Sequence, residues 1–341
     1  MESAVQVGSG GQKVVFRITY QGSPLALKFA LLPDTFQADA VKHYRGAVPG
    51  ARSIPSKTEG ISTGRNTSQI NCVPHRIRTM CAKGDEMVEE REALLLEIAN
   101  CKVARHVLET RDQHCDCSKI VAAQGARDWN GFQVPEPWSG HLREAPILFF
   151  SSNPSISIRE AYPKGAGDPK VSLQSFFDSR FDGYWIKQGK QALGADLETY
   201  GPIVRYWSSI QNRAEELLGR KAIPGIDYAL SEIVHCKSER EEGVKEALIT
   251  CADRYMMKLL SCSGAVVLVL VGDKVLNHWN SLGLDGLPQV PQVGGTALQE
   301  IAGRKRVVIY LSAPSGPKPK LFAHWLTKPR IREIRHLIEH R

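Results

Sequence analysis

Four short apolar runs punctuate the chain from Pro146 onward, each closed by small or turn-forming residues. Pro146–Ser151 reads P-I-L-F-F-S and passes into Ser152-Asn153-Pro154-Ser155. Asp227–His235, Gly264–Val271 and Arg306–Ser312 repeat the pattern, the last running into Ala313-Pro314-Ser315-Gly316. Continuous apolar runs of this length predict strands buried on both faces. Helical stretches separate them: Pro202–Gly219, with proline in its first turn and glycine at its end; Glu239–Leu260, which starts acidic; and Pro329–Arg341, which is basic. Strands alternating with helices predict an α/β fold, a three-layer αβα arrangement around a central, mostly parallel four-stranded sheet.

The first half carries weaker signals. Lys13–Tyr20 alternates polar and apolar residues, Leu25–Leu32 is apolar with one lysine, and Gln21-Gly22-Ser23-Pro24 lies between them. The expectation is a β-hairpin in a small N-terminal α+β extension. Ala47–Asn71 is rich in Gly, Ser, Thr and Pro and reads as a linker. Glu86–Arg111 has an apolar face (Met87, Leu94, Leu95, Ile98, Val103, Val107) and predicts one long helix. The domain reading is an accessory region over 1–85, a connecting helix over 86–114 and a catalytic domain over 115–341. Ser155–Gly201 is long and irregular, yet it holds Tyr162, Phe176, Phe177, Phe181, Tyr184 and Trp185. Its aromatics argue for order, and its length for function.

Composition narrows the class. The 341 residues are 42% hydrophobic, enough for a large core, and no 18-residue apolar span or leader-like start is visible. A soluble, cytoplasmic, monomeric protein with no membrane partner is expected. Eight cysteines are too few for a disulfide scaffold, so they are read as thiols or metal ligands. From Arg304 onward ten Lys/Arg oppose two Glu, an excess equal to the +8 of the whole chain. A basic end on an otherwise neutral protein points to a polyanion, nucleic acid first.

Three strand ends then fall into a pattern. Ser151-Ser152-Asn153-Pro154-Ser155 resembles the G-I-N-P-G motif of mismatch-type thymine/uracil glycosylases. Ala313-Pro314-Ser315-Gly316 resembles the H-P-S loop of the same superfamily, and Leu230–Cys236 resembles the T-N-V-V-K-C strand of its iron–sulfur members. From about Cys115 to Trp325 the chain thus resembles the uracil-DNA glycosylase superfamily. The resemblance implies hydrolysis of the bond between a flipped-out base and deoxyribose in double-stranded DNA, leaving an abasic site, without strand cleavage. Asn153 would hold the attacking water. Ser315 and Gly316, with Lys318 and Lys320 beside them, would grip the DNA backbone. Phe176, Phe177 or Phe181 would stack on the base. Cys115, Cys117, Cys236 and Cys251 would ligate a [4Fe–4S] cluster, or zinc as the lesser expectation. The early pair is Cys-x-Cys where the family has Cys-x2-Cys, which leaves Cys101 or His114 as substitutes; buried inert thiols are the alternative.

Two departures bear on substrate. Ala313 stands where many members carry histidine, and Glu232 stands where the uracil reader carries asparagine. A carboxylate can only accept hydrogen bonds, and Glu pairs with the cytosine amino group. The expected substrate is therefore a modified cytosine, such as glucosylated hydroxymethylcytosine of phage DNA, in an antiviral role. An ion pair of Glu232, for instance with Lys237, is the structural alternative. Repair of uracil or mismatched thymine is the second enzymatic reading. A glycosylase-fold DNA binder without turnover is a third, and a nucleotide-binding α/β protein, which would lack a phosphate loop, is the last.

Overall fold

A computed structural model describes residues 3–10, 13–20, 23–30, 89–165 and 172–341. The chain divides into two compact units, Met1–Asn71 and Cys72–Arg341. In the first, β1 (Ser3–Gly10), β2 (Lys13–Tyr20) and β3 (Ser23–Ala30) form an antiparallel sheet in the order β1-β2-β3. The β2–β3 pairing closes at Tyr20 opposite Ser23, which is the expected hairpin; β1 adds a strand on its other side. The Ala47–Asn71 linker expectation lies outside the described residues.

The second unit begins with α1 (residues 89–99) and α2 (Lys102–Thr110). The long helix expected over Glu86–Arg111 is thus broken at Cys101, whose ψ of 114° is extended. Leu94, Leu95, Ile98, Ala104 and Val107 are buried in the same core as the later helices, so this pair belongs to the second unit rather than connecting two domains. Helix α3 (Ser118–Ala122) follows, then β4 (Ile147–Ser151), α4 (Leu173–Asp178) and a two-rung hairpin of β5 (Ile186–Lys187) and β6 (Gln191–Ala192). Next come α5 (Arg205–Leu218), β7 (Tyr228–Glu232), α6 (Val244–Cys262), β8 (Val267–Val271) and α7 (Asp273–Ser281). The chain ends with β9 (Gln299–Ile301), β10 (Arg304–Leu311) and α8 (Lys328–Glu339). Helix ends follow their caps: Gly219 closes α5 in the left-handed conformation, and the Thr327 hydroxyl accepts from the Arg330 backbone N–H at the start of α8.

The central sheet has the order β7-β4-β8-β10-β9. Its first four strands are parallel and are the four expected; the fifth, β9, is antiparallel to β10 at the edge. Strand alternation sends side chains to two cores. Leu148, Phe150, Leu268, Leu270, Val308 and Tyr310 face the helices α1, α2, α3, α6 and α7. Ile147, Phe149, Val267, Val269, Val307 and Ile309 face α5 and α8. The result is the three-layer αβα architecture.

This order places the topological switch point between β4 and β8, where the chain has left β4 for β7 on one side and leaves β8 for β10 on the other. In such sheets the crevice beyond the carboxyl ends of these strands is where ligands bind. Among the described residues, no helix is long and apolar enough to cross a membrane.

Candidate active site at the carboxyl ends of the strands

Backbone pairing continues past the ends of β4 and β7. The Ile233 and Val234 amides donate to the Ser151 and Ser152 carbonyls, and the Ser238 amide donates to the Pro154 carbonyl. The loop carrying Asn153 is thereby held against the loop carrying Cys236 and Ser238. Asn153 donates from Nδ2 to the Pro154 carbonyl (3.0 Å), the Cys236 carbonyl (3.4 Å) and Ser238 Oγ (2.9 Å). With its amide nitrogen so engaged, the side chain keeps Oδ1 as its acceptor.

Glu232 ends β7 directly opposite Ser151. It is buried, Oε1 accepts from Ser151 Oγ at 3.3 Å, and Oε2 is buried without a hydrogen-bond partner. Around it lies a charge network that no local pattern announced. Glu136 reaches the site because residues 136–139 run along the outer edge of β7: the Glu136 amide donates to the His235 carbonyl, and Ser139 exchanges backbone bonds with Leu230. Arg180, 2% exposed, contacts Glu136 at 2.9 Å and Glu160 at 2.5 Å, and its guanidinium lies against the rings of Tyr162, Phe176 and Trp207. Lys237, equally buried, approaches Glu136 at 3.4 Å and sits 3.6 Å from the centre of the Tyr162 ring. Lys237 therefore pairs with Glu136, not with Glu232.

The network divides its carboxyls into two kinds. Burial pushes Glu136 up, but Arg180 and Lys237 outweigh it and bring the carboxyl down to about 2. Burial, reinforced by the charge of Glu136, holds Glu232 well above the usual carboxylate range despite Lys237 and Arg180. A neutral Glu232 offers an O–H donor as well as acceptor capacity. The acceptor-only expectation counted the residue type alone, whereas burial and the Glu136 charge both push this carboxyl toward its protonated form.

Two openings adjoin parts of this network, Glu160 and Tyr162 lining one and Tyr206 the other, and neither is lined by Asn153 or Glu232. One is a cavity of about 340 Å³, walled by Tyr162, Phe176 and Trp185 with Gln133, Glu160 and Lys164 at polar positions. Gln133 is buried, and its Oε1 has no partner. The other is a groove of about 700 Å³ lined by Arg205, Tyr206, Ser208, Asn212, Ser315 and Lys320, among others. Tyr206 connects the groove inward, donating from its hydroxyl to Ser151 Oγ at 3.0 Å.

The three phenylalanines singled out from the sequence are all buried. Phe177 packs against Phe176 and Tyr162, and Phe181 against Tyr228 and Trp207; Phe176 alone of the three contributes to the cavity wall. Ser315 is exposed in the groove, while Gly316 closes a turn back to the Ala313 carbonyl. Lys318 is tied to Asp273 at 2.8 Å, leaving Lys320 as the lysine of this loop that faces the groove. Several basic residues of the C-terminal segment are structural. Arg306 is fully buried and donates to the Leu260 and Ser263 carbonyls, and Arg335 donates to the Glu216 and Leu217 carbonyls.

The cysteines gather from distant segments. Burial and the proximity of Cys251, Cys115 and Cys101 hold the Cys117 thiol above its ordinary range; burial and Cys101, Cys251 and Cys117 do the same to Cys236. Burial likewise pushes Cys251 up to about 12. Cys251, Cys115 and Cys101 thus lie near enough to act on Cys117, and Cys101, Cys251 and Cys117 near enough to act on Cys236. Zinc, with Zn–S bonds of about 2.3 Å, would hold its thiolates roughly 3.8 Å apart. Among the described residues only His336, Glu339 and His340, exposed on α8, bring three ligand atoms within 4.8 Å of one another. Among the described residues, no three of these thiols lie within 4.8 Å of one another.

Compared with known proteins, the chain matches no family model and no curated protein sequence.

Proposed function

We propose that this chain is a monofunctional DNA glycosylase that hydrolyses the N-glycosidic bond of a flipped-out base in double-stranded DNA and leaves an abasic site. The observation that carries this reading is the pairing of Asn153 with Glu232 at the ends of adjacent parallel strands. One presents a fixed amide acceptor suited to orienting a water. The other is a buried carboxyl with an unpartnered oxygen suited to holding a base. The basic, hydroxyl-rich groove through Arg205, Ser315 and Lys320 offers a path for the phosphate backbone. Asn153 orients the water rather than deprotonating it, in keeping with a bond that breaks toward an oxocarbenium-like sugar before water adds.

The substrate reading is a cytosine bearing a bulky polar group, such as glucosylated hydroxymethylcytosine, with defence against modified phage DNA in the cytoplasm as its setting. A neutral Glu232 serves cytosine and uracil alike, so the cavity now supports this choice. Its volume of about 340 Å³ lies within the usual range for small-ligand sites, roughly 300–1,000 Å³. Aromatic walls with polar groups between them suit a sugar. The thiols of Cys101, Cys117, Cys236 and Cys251 would hold a [4Fe–4S] cluster with a structural role, joining α1–α2, α3 and α6 to the loop after β7 behind the site. When bound, such a cluster is one capable of electron transfer, and none is needed for hydrolysis.

The test is base release from otherwise identical duplexes carrying uracil, a uracil–guanine mismatch, hydroxymethylcytosine or its glucosylated form, followed by alkaline cleavage of abasic sites. Release of the glucosylated base is the expected result. Efficient excision of uracil alone would move the assignment to repair. Binding without release from any duplex would leave a DNA-binding protein on a glycosylase-like fold, the reading that Ala313 in place of a histidine favours.

A further inference from the structure

Three carboxyls and two cations share the buried network. Arg180 bridges Glu136 and Glu160, and Lys237 also turns to Glu136. Among the described residues Glu232 has no ion-pair partner. The groups that face it are Ser151 from β4, Tyr206 from α5 through that serine, Glu136 from the loop along β7, Arg180 from the segment after α4, and Lys237 beyond β7. Oε1 receives the Ser151 proton, and Oε2 is buried with nothing to bond. An ionised oxygen in that position would cost far more than a neutral O–H, and an O–H left unbonded there is one that a ligand acceptor would satisfy.

We propose, on the glycosylase reading above, that Glu232 is the general acid of the reaction and delivers the Oε2 proton to the departing base. As the C1′–N bond breaks, its electron pair stays on the base nitrogen, and the base takes the proton from Glu232 at a ring nitrogen or exocyclic oxygen. The base leaves neutral. The water held by Asn153 bonds to C1′ and releases a proton to solvent, completing the hydrolysis. At Ala313 the chain has only a methyl group, so no side-chain donor at that position can steady a base anion. Glu232 supplies the donor from the opposite side of the sheet order.

The return of the proton is also built in. The Tyr206 hydroxyl donates to Ser151 Oγ, and the Ser151 hydroxyl donates to Glu232 Oε1. Tyr206 itself lines the open groove. The chain of hydroxyls runs from the groove inward and points its hydrogens toward the carboxyl. A proton taken up at Tyr206 thus arrives at Glu232 Oε1 by two transfers, and a half-turn of the carboxyl restores the protonated oxygen to the unpartnered side.

The test compares wild type with Glu232→Gln, which keeps a donor and an acceptor but cannot give up a proton. Wild-type base release should fall as pH rises through the titration of Glu232, because the acid is active only while protonated. Glu232→Gln should bind duplex as wild type does, release base about 10²-fold more slowly, and lack that alkaline limb. Its defect should shrink on a base made a better leaving group by ring fluorination. Wild-type turnover in Glu232→Gln, or a defect blind to leaving-group quality, would overturn the proposal. An infrared difference spectrum at neutral pH, wild type minus Glu232→Gln, should contain the carbonyl band of a neutral carboxylic acid. Carboxylate bands in its place would overturn the acid role even if base release is observed. Absence of base release from every duplex overturns the glycosylase reading itself, and the acid role with it. The wild-type pH profile serves if the variant does not fold.

Discussion

Ser151 stands opposite Glu232 in the register of β4 and β7, and its hydroxyl donates to the Glu232 carboxyl at 3.3 Å. Two residues further along the first strand is Asn153, and a parallel exit from the second carries Cys236 and Lys237. The register therefore brings the Asn153 amide, the Glu232 carboxyl, the buried Lys237 and Cys236 to the same end of the sheet. Substitution can separate their roles.

Asn153→Ala should bind duplex DNA nearly normally and lose base release by about 10²-fold, the scale for a positioned catalytic group. Single-turnover rates with saturating enzyme make the measurement. Unchanged rates would remove Asn153 from the chemistry.

Protein purified without oxygen should be brown, with visible thiolate-to-iron absorption. Cys101→Ser, Cys117→Ser, Cys236→Ser and Cys251→Ser should each bleach it, whereas Cys115→Ser should retain colour, since Cys115 acts on Cys117 but not on Cys236. Iron analysis of the five variants decides between this set and the Cys115-containing one that the resemblance implied.

Replacing Arg205 and Lys320 with alanine should weaken binding to all duplexes alike and lower the salt slope by about one unit for each phosphate no longer neutralised. Arg306 and Arg335 bind backbone carbonyls inside the fold. Their replacement should lower the melting temperature, with the salt slope of the folded fraction unchanged. An intact slope in the Arg205/Lys320 double variant would place DNA elsewhere.

The Glu136–Arg180–Lys237 cluster should make stability depend on acid. The Glu136 carboxyl lies at about 2 in the folded chain against an ordinary 4.5. A depressed value means its contribution is complete above about pH 4.5 and is lost as pH falls toward 2. Melting temperature should therefore drop across that window. Glu136→Gln should start lower, because it strands buried cations, and should fall less within the same window.

Much of the architecture was legible along the chain. The four parallel strands were readable because a strand buried on both faces must be apolar at every position, and helices between such strands leave little choice but a parallel sheet. The hairpin of β2 and β3 was readable from alternation around a short turn. Asn153 was legible as well, since a turn-forming triplet at the end of the first buried strand marks the end of the sheet where ligands bind. The edge strand β9 was not, because three residues paired on one side carry no periodic signal. Nor was the break at Cys101, where an apolar stripe continues in sequence across a residue whose backbone is extended.

The electrostatic character of the site was decided by the tertiary structure alone. Glu136, Glu160, Arg180, Glu232 and Lys237 are separated by up to 101 positions between Glu136 and Lys237, and Glu136, Glu160 and Arg180 have no motif. Their type told only that each is ionisable. Which carboxyl is paired and which stays neutral depends on which cation lies within reach in a water-poor interior, and that is a property of distances in space. The same reasoning applies to the phenylalanines: an aromatic-rich irregular stretch is readable, but the choice of Phe176 for the cavity wall over Phe177 and Phe181 follows from how the loop folds back. By itself, then, the sequence determined the layers, the strand ends and the amide at one of them, because burial and turn chemistry are local constraints. Only the folded chain decided the surroundings that push the Glu232 carboxyl upward, because protonation is governed by neighbours the chain brings from elsewhere.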